Sequence, residues 1–266
     1  MPSPKKSISR RATSAPAKRL QDGQATKVGK AGQHDEASRE PVGGATTRQE
    51  KRRLETRFKL MTAALRLMSA KGMDGVAIQD ITNAADVGFG SFYNHFPSKE
   101  AIFQALKDEL IEHYAAALDK LGEQVRDPAE KIAASARYTL RHGRADPVWG
   151  QFVLATNFNR DSLRSGLGRY LLRDVMTGIE GKRFVCHDLA SLVVAVGSII
   201  LGGLMAEVTV PAHAEDPFGL PDDLPEKVSA TMLLTLGLPW SEAMEIACRP
   251  LPVVDLPVNP LSLRVG

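Results

Sequence analysis

The sequence predicts an all-α protein of about ten helices, and three observations carry that expectation. Apolar residues recur at the three- and four-residue spacing of a helical face through most of residues 48–250. No alternating polar and apolar run lies between hairpin turns, and no segment repeats another. Prolines and glycines fall where helices would start and stop. With 266 residues, 43% of them hydrophobic and 24% charged, the chain has ample length to bury a core.

Residues 1–47 are rich in Ser, Ala, Gly, Pro, Lys and Arg and nearly lack large apolar groups, so a disordered basic tail is expected there. Residues 1–53 hold thirteen Lys and Arg against five Asp and Glu, whereas the remainder holds 21 against 26. A basic arm on a mildly acidic body points to a polyanionic partner; the alternative is a merely solvated tail.

The first helix is expected from Arg48 to about Ala70, with Leu60, Met61, Ala64, Leu67 and Met68 on one face and Gly72 suited to a left-handed cap. A short helix over Ile78–Ala84 turns Ile78, Ile81 and Ala85 to the same core. The turn "ADV" separates it from a second short helix, about Gly88–His95. Pro97 breaks the chain, and Ser98 caps a long helix whose Ala101, Ile102, Ala105 and Leu106 face inward. Further helices are predicted at about 128–143, 147–158, 162–179, 187–208, 225–237 and 240–248. Pro128, Pro147 and Pro225 sit near starts, and Pro211, Pro217 and Pro221 mark a loop. The organisation is then a tail (1–47), a head (48–104, its two short helices within about 77–96), a helical body (105–250) and a loose Pro-rich tail (251–266).

Within the head, "DVGFGSFYNHFPSKEAIF" holds five of the chain's thirteen Phe and Tyr residues beside Gly88, Gly90 and Ser91. Two short helices joined by a tight turn and held by a longer one make a helix-turn-helix unit. Its second helix can enter a DNA major groove only if its exposed face is slim or complementary. Gly88 and Gly90 keep the N-terminal end of that helix slim, Phe92 and Phe96 form its core side, and Tyr93 faces outward with a hydroxyl for a phosphate. Lys99 would add charge at a helix N-terminus. Ser91 and the arm residues Arg48, Lys51, Arg52 and Arg53 offer further phosphate affinity. Phe89 either touches a thymine methyl or faces solvent, and His95 either donates to phosphate or is structural. Asn94 and Gln79 are candidates on the same surface.

The stretches "RFKLMTAALRLMSAKG", "IQDITNAADVGFGSFYNHF" and "SKEAIF", about a fifth of the chain between Arg57 and Phe103, resemble the DNA-binding domain of the tetracycline-repressor (TetR/AcrR) family. The resemblance implies that the second short helix reads bases while Tyr93 and Lys99 hold the backbone. It also implies a homodimer on a near-palindromic double-stranded operator and a C-terminal domain that binds a small-molecule inducer. The chain departs from the family's pattern at three positions: Ala77 stands where Ser or Thr is common, Asp86 where Gly is usual, and Gly88 where Ser, Thr or Ala is usual.

The body carries no motif of that kind. Between Asp188 and Glu207 lie eighteen uncharged residues, long enough for a membrane span, but their glycines and serines favour a helix buried in a core or between subunits. Gly197, Leu201, Gly202 and Met205 on this helix, with Met232 and Leu236 on "LPEKVSATMLLTLGL", are the expected dimer interface. A ligand cavity is expected among Trp149, Phe152, Asn157, Phe158, Arg173 and Met176, for a mainly apolar molecule with one carboxylate or hydroxyl. Two cysteines, Cys186 and Cys248, make no disulfide framework or metal-ligand spacing, which fits a reducing, cytoplasmic compartment. Neither a cofactor loop nor a catalytic constellation is found: "GLG" at 166–168 lacks a preceding strand, and "HDL" at 187–189 stands alone. The reading is a ligand-responsive DNA-binding repressor, not an enzyme; an activator, an inducer-independent DNA binder and a membrane-anchored sensor are its rivals.

Overall fold

The computed structural model describes residues 47–156, 163–209, 221–257, 259 and 261. Among them every regular element is helical. The first helix, α1 (Arg48–Lys71), starts on a reciprocal pair: the Thr47 backbone N–H donates to Glu50 Oε2 at 2.7 Å, and the Glu50 N–H donates to Thr47 Oγ1 at 3.2 Å. It ends at Gly72, whose φ of 70° is open to glycine and costly for other residues. Next come α2 (Ile78–Ala84) and α3 (Phe89–Tyr93).

Ser98 caps α4 (Lys99–Lys107) by accepting from the Ala101 N–H at 3.2 Å. The long helix expected from this point is not uniform. After α4 the chain widens into a π-helical turn (Asp108–Glu112), marked by the His113 N–H donating five residues back to the Asp108 carbonyl, and resumes as α5 (His113–Asp119) and α6 (Leu121–Gln124). Then follow α7 (Pro128–Ala145), α8 (Pro147–Ala155), α9 (Gly166–Glu180), α10 (Leu189–Thr209), α11 (Leu224–Thr235) and α12 (Trp240–Ala247).

At the centre, α7 packs against α8, α9, α10, α11 and α12. One core cluster runs from Leu60, Met68, Ile81, Phe92 and Ile102 in the head into Leu110, Tyr114, Trp149, Phe152 and Leu204 in the body. The head therefore shares apolar packing with the body, most directly through α1 on α8, where Ser69 Oγ donates to the Val148 carbonyl at 3.1 Å. A second cluster joins Val175, Val196, Leu233, Leu236 and Ile246. Between α7 and α11, Glu226 accepts from Arg137 Nε at 3.0 Å and from an Arg141 guanidinium nitrogen at 2.7 Å.

Two expectations need correction here. The residues after Arg249 do not hang loose where they are described: Gln124 Nε2 donates to the Val253 carbonyl, the Tyr138 hydroxyl to Pro252, and Asn259 Nδ2 to Asp146 Oδ2, while Leu261 is 3% exposed. Prolines rule out a helix but leave Leu251, Val254 and Leu256 free to cover apolar surface. Met232 and Leu236, 2% and 0% exposed, belong to the chain's own core and cannot meet a second subunit.

Candidate DNA-binding surface and ligand cavity

The turn between α2 and α3 is built by backbone bonds. Asp86 takes a φ of 53°, its N–H donates to the Asn83 carbonyl, and the Val87 N–H donates to Thr82, the paired closure that ends a helix around a left-handed residue. Asp tolerates this conformation better than most residues, so the turn forms without the expected glycine. At the start of α2, Ala77 lacks a capping hydroxyl; its N–H is held by Asp80 Oδ2 at 3.0 Å, half of a reciprocal cap.

α3 turns Phe92 fully inward, with Phe96 just beyond it also buried. Opposite them stand Gly88, Phe89, Gly90, Tyr93 and Asn94, all exposed, with Ser91 half-exposed. Phe89 and Tyr93 meet edge to face at 5.6 Å, so the exposed aromatic pair forms a ridge along the helix. A Cβ on Gly90 would meet nothing within 4 Å. The folded chain therefore does not require glycine there, and the space is available to something outside it. Lys99 occupies the first position of α4, beside the Ser98 cap.

His95 is half-buried near the arginines of α1. Burial and the nearby Arg53 and Arg57 hold its imidazole below the usual pKa, so it is neutral near pH 7. Arg57 donates to the His95 carbonyl at 3.5 Å and lies 4.3 Å over the Phe96 ring, fixing the end of the motif to α1. Arg48, Arg52 and Arg53 are exposed along the first turns of α1, and Gln79 is exposed on α2 with its amide bonded to Asn83.

A cavity of about 280 Å³ is bounded by α4, the π turn, α5, α7, α8, α9 and α10, with Met232 of α11 also on its wall. Most of the wall is apolar, including Phe103, Ile111, Leu118, Ile132, Leu154 and Leu204. Its polar end is a charge cluster: Lys131 Nζ lies 3.0 Å from Asp119 and 3.2 Å from Asp174, and Arg173 bonds both carboxylates from behind. The Arg173 guanidinium holds the Asp119 carboxyl below the usual carboxylate range. Thr139, Ser135 and Tyr170 add hydroxyl-bearing side chains to the wall.

The expected ligand residues fare poorly. Trp149 and Phe152 are buried packing groups, the indole N–H of Trp149 donating to the Leu110 carbonyl at 3.0 Å. Met176 is surface-exposed, and Arg173 only supports the carboxylates that line the wall. Asn157 and Phe158 lie outside the described residues. Sequence reasoning missed Asp119, Lys131 and Asp174. A signal existed: Asp174 falls between Leu171 and Val175 on the inward face of α9, where an acid is out of place unless paired.

α10 is apolar on both sides. Val193, Val196, Gly203 and Leu204 pack into the chain; a Cβ on Gly203 would approach Val228 at 3.0 Å. Gly197 and Leu201, expected at a subunit interface, line the cavity instead. Val194, Ser198, Gly202 and Met205 form an exposed stripe, and nothing lies within 4 Å of a Cβ built on Gly202. Only 28% of the helix's most apolar stretch is buried by its own chain. Near its C-terminus Glu207 is bound by Arg144 at 2.5 and 2.9 Å.

The fold and these surfaces define a helix-turn-helix transcriptional regulator with an internal cavity. Residues 60–106 match the family described as bacterial regulatory proteins, tetR family, and residues 127–249 match a tetracyclin repressor-like C-terminal domain. Among solved structures, RolR in complex with its ligand resorcinol is 33% identical, with a TM-score of 0.57 over 77% of this chain and 99% of RolR. RolR without ligand matches equally well, at 32% identity and a TM-score of 0.57. The HTH-type transcriptional regulator CymR of Pseudomonas putida is 39% identical over 146 residues, 53% of this chain and 66% of CymR. The repressor DhaR of Mycobacterium sp. (strain GP1) is 49% identical over 49 residues, a quarter of its own length. The chain belongs to the tetR family of bacterial regulatory proteins.

Proposed function

We propose that the chain is a cytoplasmic, ligand-released repressor that binds a near-palindromic operator as a homodimer. The observation that carries the reading is the exposed face of α3, where Gly90 leaves space that the chain does not use, beside Tyr93 and Lys99. In the dimer two such faces would enter successive major grooves about 34 Å apart. Phosphate contacts from Tyr93, Lys99, Ser91 and the arginines of α1 would set position, and the Phe89 to Asn94 face would read bases. The stripe Val194, Ser198, Gly202 and Met205 supports pairing through α10, because a glycine without a neighbour permits close approach of a second helix.

The effector fits as a compact, uncharged molecule carrying one or two hydroxyl groups. Two carboxylates and two cations already balance at the polar end of the cavity, and Lys107 and Glu112 add one charge of each sign to its wall, so an added carboxylate finds little net positive charge. Hydroxyl donors find Asp119 and Asp174 as acceptors, and the apolar wall covers a ring. The resorcinol bound by RolR has this chemistry. Genomic fragments retained by the purified protein supply the operator, and added resorcinol or benzoate then reads the effector class. Release by the diphenol and not by the carboxylate is expected; release by benzoate alone would reverse the assignment. Retention of no fragment would remove the repressor reading itself.

A further inference from the structure

Leu110, at the centre of the π turn, lies on the helical run that leads from the head into the body. Behind the turn runs α4, which starts at Lys99 beside the reading helix; ahead of it α5 enters the body. Ile111 and Glu112 of the turn line the cavity, so an occupant touches the turn itself. On the opposite side Trp149 Nε1 donates to the Leu110 carbonyl at 3.0 Å, inside the core. Trp149 is held in turn: its own N–H donates to Asp146 Oδ1, and Asn259 of the C-terminal segment donates to Asp146 Oδ2 at 2.9 Å. α8, which carries Trp149, also bears on α1 of the head. Asn259 lies beyond the residues matched to the family's C-terminal domain, which end at 249.

We propose that Trp149 is a positioning residue for DNA binding: its indole N–H holds residues 108–112 in the widened π form, and tightening of this turn toward α-helix is how an occupied cavity turns α4 and the reading head. The proposal rests on the regulator reading above. A π turn contains one residue more than the α turn it replaces, and each α-helical residue advances about 100° and 1.5 Å, so even partial conversion rotates Lys99–Lys107 against α5. The walls the ligand would press, Ile111 and Glu112, and the carbonyl that Trp149 ties, that of Leu110, sit on the same five-residue segment. No long-range path is needed.

Trp149→Phe keeps an aromatic ring in the core and removes the donor, together with part of the ring that packs on Tyr114 and His142. In the absence of any small molecule it is expected to bind the fragment selected by the wild-type protein about tenfold more weakly, within the usual range of coupling between sites. Amide hydrogen exchange should change at residues 108–118 and in α4 while the rest of the body keeps its protection, a pattern that general loss of packing does not give. Asn259→Ala, at the far end of the chain of contacts, should shift both readings the same way by about threefold. Folded variants with wild-type affinity and wild-type exchange at 108–118 would overturn the proposal. Because exchange is read without DNA, the joint is tested even if the wild-type protein retained no fragment.

Discussion

Gly90 and Gly202 share a property at the scale of single residues: neither is required by the chain that contains them. A Cβ at either position meets nothing within 4 Å, whereas one at Gly203 would crowd Val228 and Leu140. Gly also costs a helix about 1 kcal/mol relative to Ala, so an unused glycine fits an outward role, the DNA contact proposed at Gly90 and the helix pairing proposed at Gly202. Stability and function should therefore separate at Gly90. Gly90→Ala is expected to leave the unfolding free energy from urea titration unchanged or raise it by up to about 1 kcal/mol, and Gly90→Leu to fold normally and lose operator binding. A destabilised Gly90→Leu would mean that the space belongs to the fold. Residue-level reading of the sequence was good where packing and chemistry agree: Phe92 and Phe96 are buried, and Asp86 holds the left-handed turn. It failed for Trp149 and Phe152, because a large aromatic ring fills a core as readily as it lines a cavity. Asp174 was the better clue.

At the scale of elements, ten helices were legible because most bury one face at helical spacing, whereas α5 and α6 were not told apart from the long helix that begins at Ser98. Two further features were not legible. A π turn keeps the same apolar residues on nearly the same side as an α turn, so Asp108–Glu112 leaves no trace in the pattern. The C-terminal segment has four prolines after Cys248, which deny a helix but say nothing about docking. α11 was assigned its outward face wrongly: Met232 and Leu236 point in, while Thr231 and Leu234 are exposed. A short apolar helix with residues of both faces alike offers no amphipathic direction. The corrected interface gives a sharp expectation. Met205→Asp, at a position 54% exposed, should yield folded monomers by sedimentation with operator affinity reduced at least about tenfold, since one head lacks the second half-site. Met232→Asp should instead unfold the chain, as burying an unpaired carboxylate costs several kcal/mol. A Met205→Asp variant that stays dimeric would move the interface off this stripe.

At the scale of the whole molecule, head and body are parts of one packed structure. α1 rests on α8, and α4 continues through the π turn into the helices that enclose the cavity. Anything that occupies the cavity acts on the folded state only, so it should stabilise the protein by about 2.7 kcal/mol at a hundredfold excess over its Kd. Asp119→Asn should lower that stabilisation by a diphenol while leaving the unliganded operator affinity close to wild type. Equal thermal shifts for wild type and Asp119→Asn would remove the charge cluster from ligand recognition. The central claim is that α3 enters a duplex while Tyr93 and Lys99 grip its phosphates. The affinity of the wild-type, Tyr93→Phe and Lys99→Ala proteins for one retained duplex, measured across salt concentrations, tests it most directly. The account predicts steep weakening with salt, lower affinity for both variants on every sequence, and a salt slope for Lys99→Ala shallower by about one. Salt-insensitive binding, or variants indistinguishable from wild type, would contradict it.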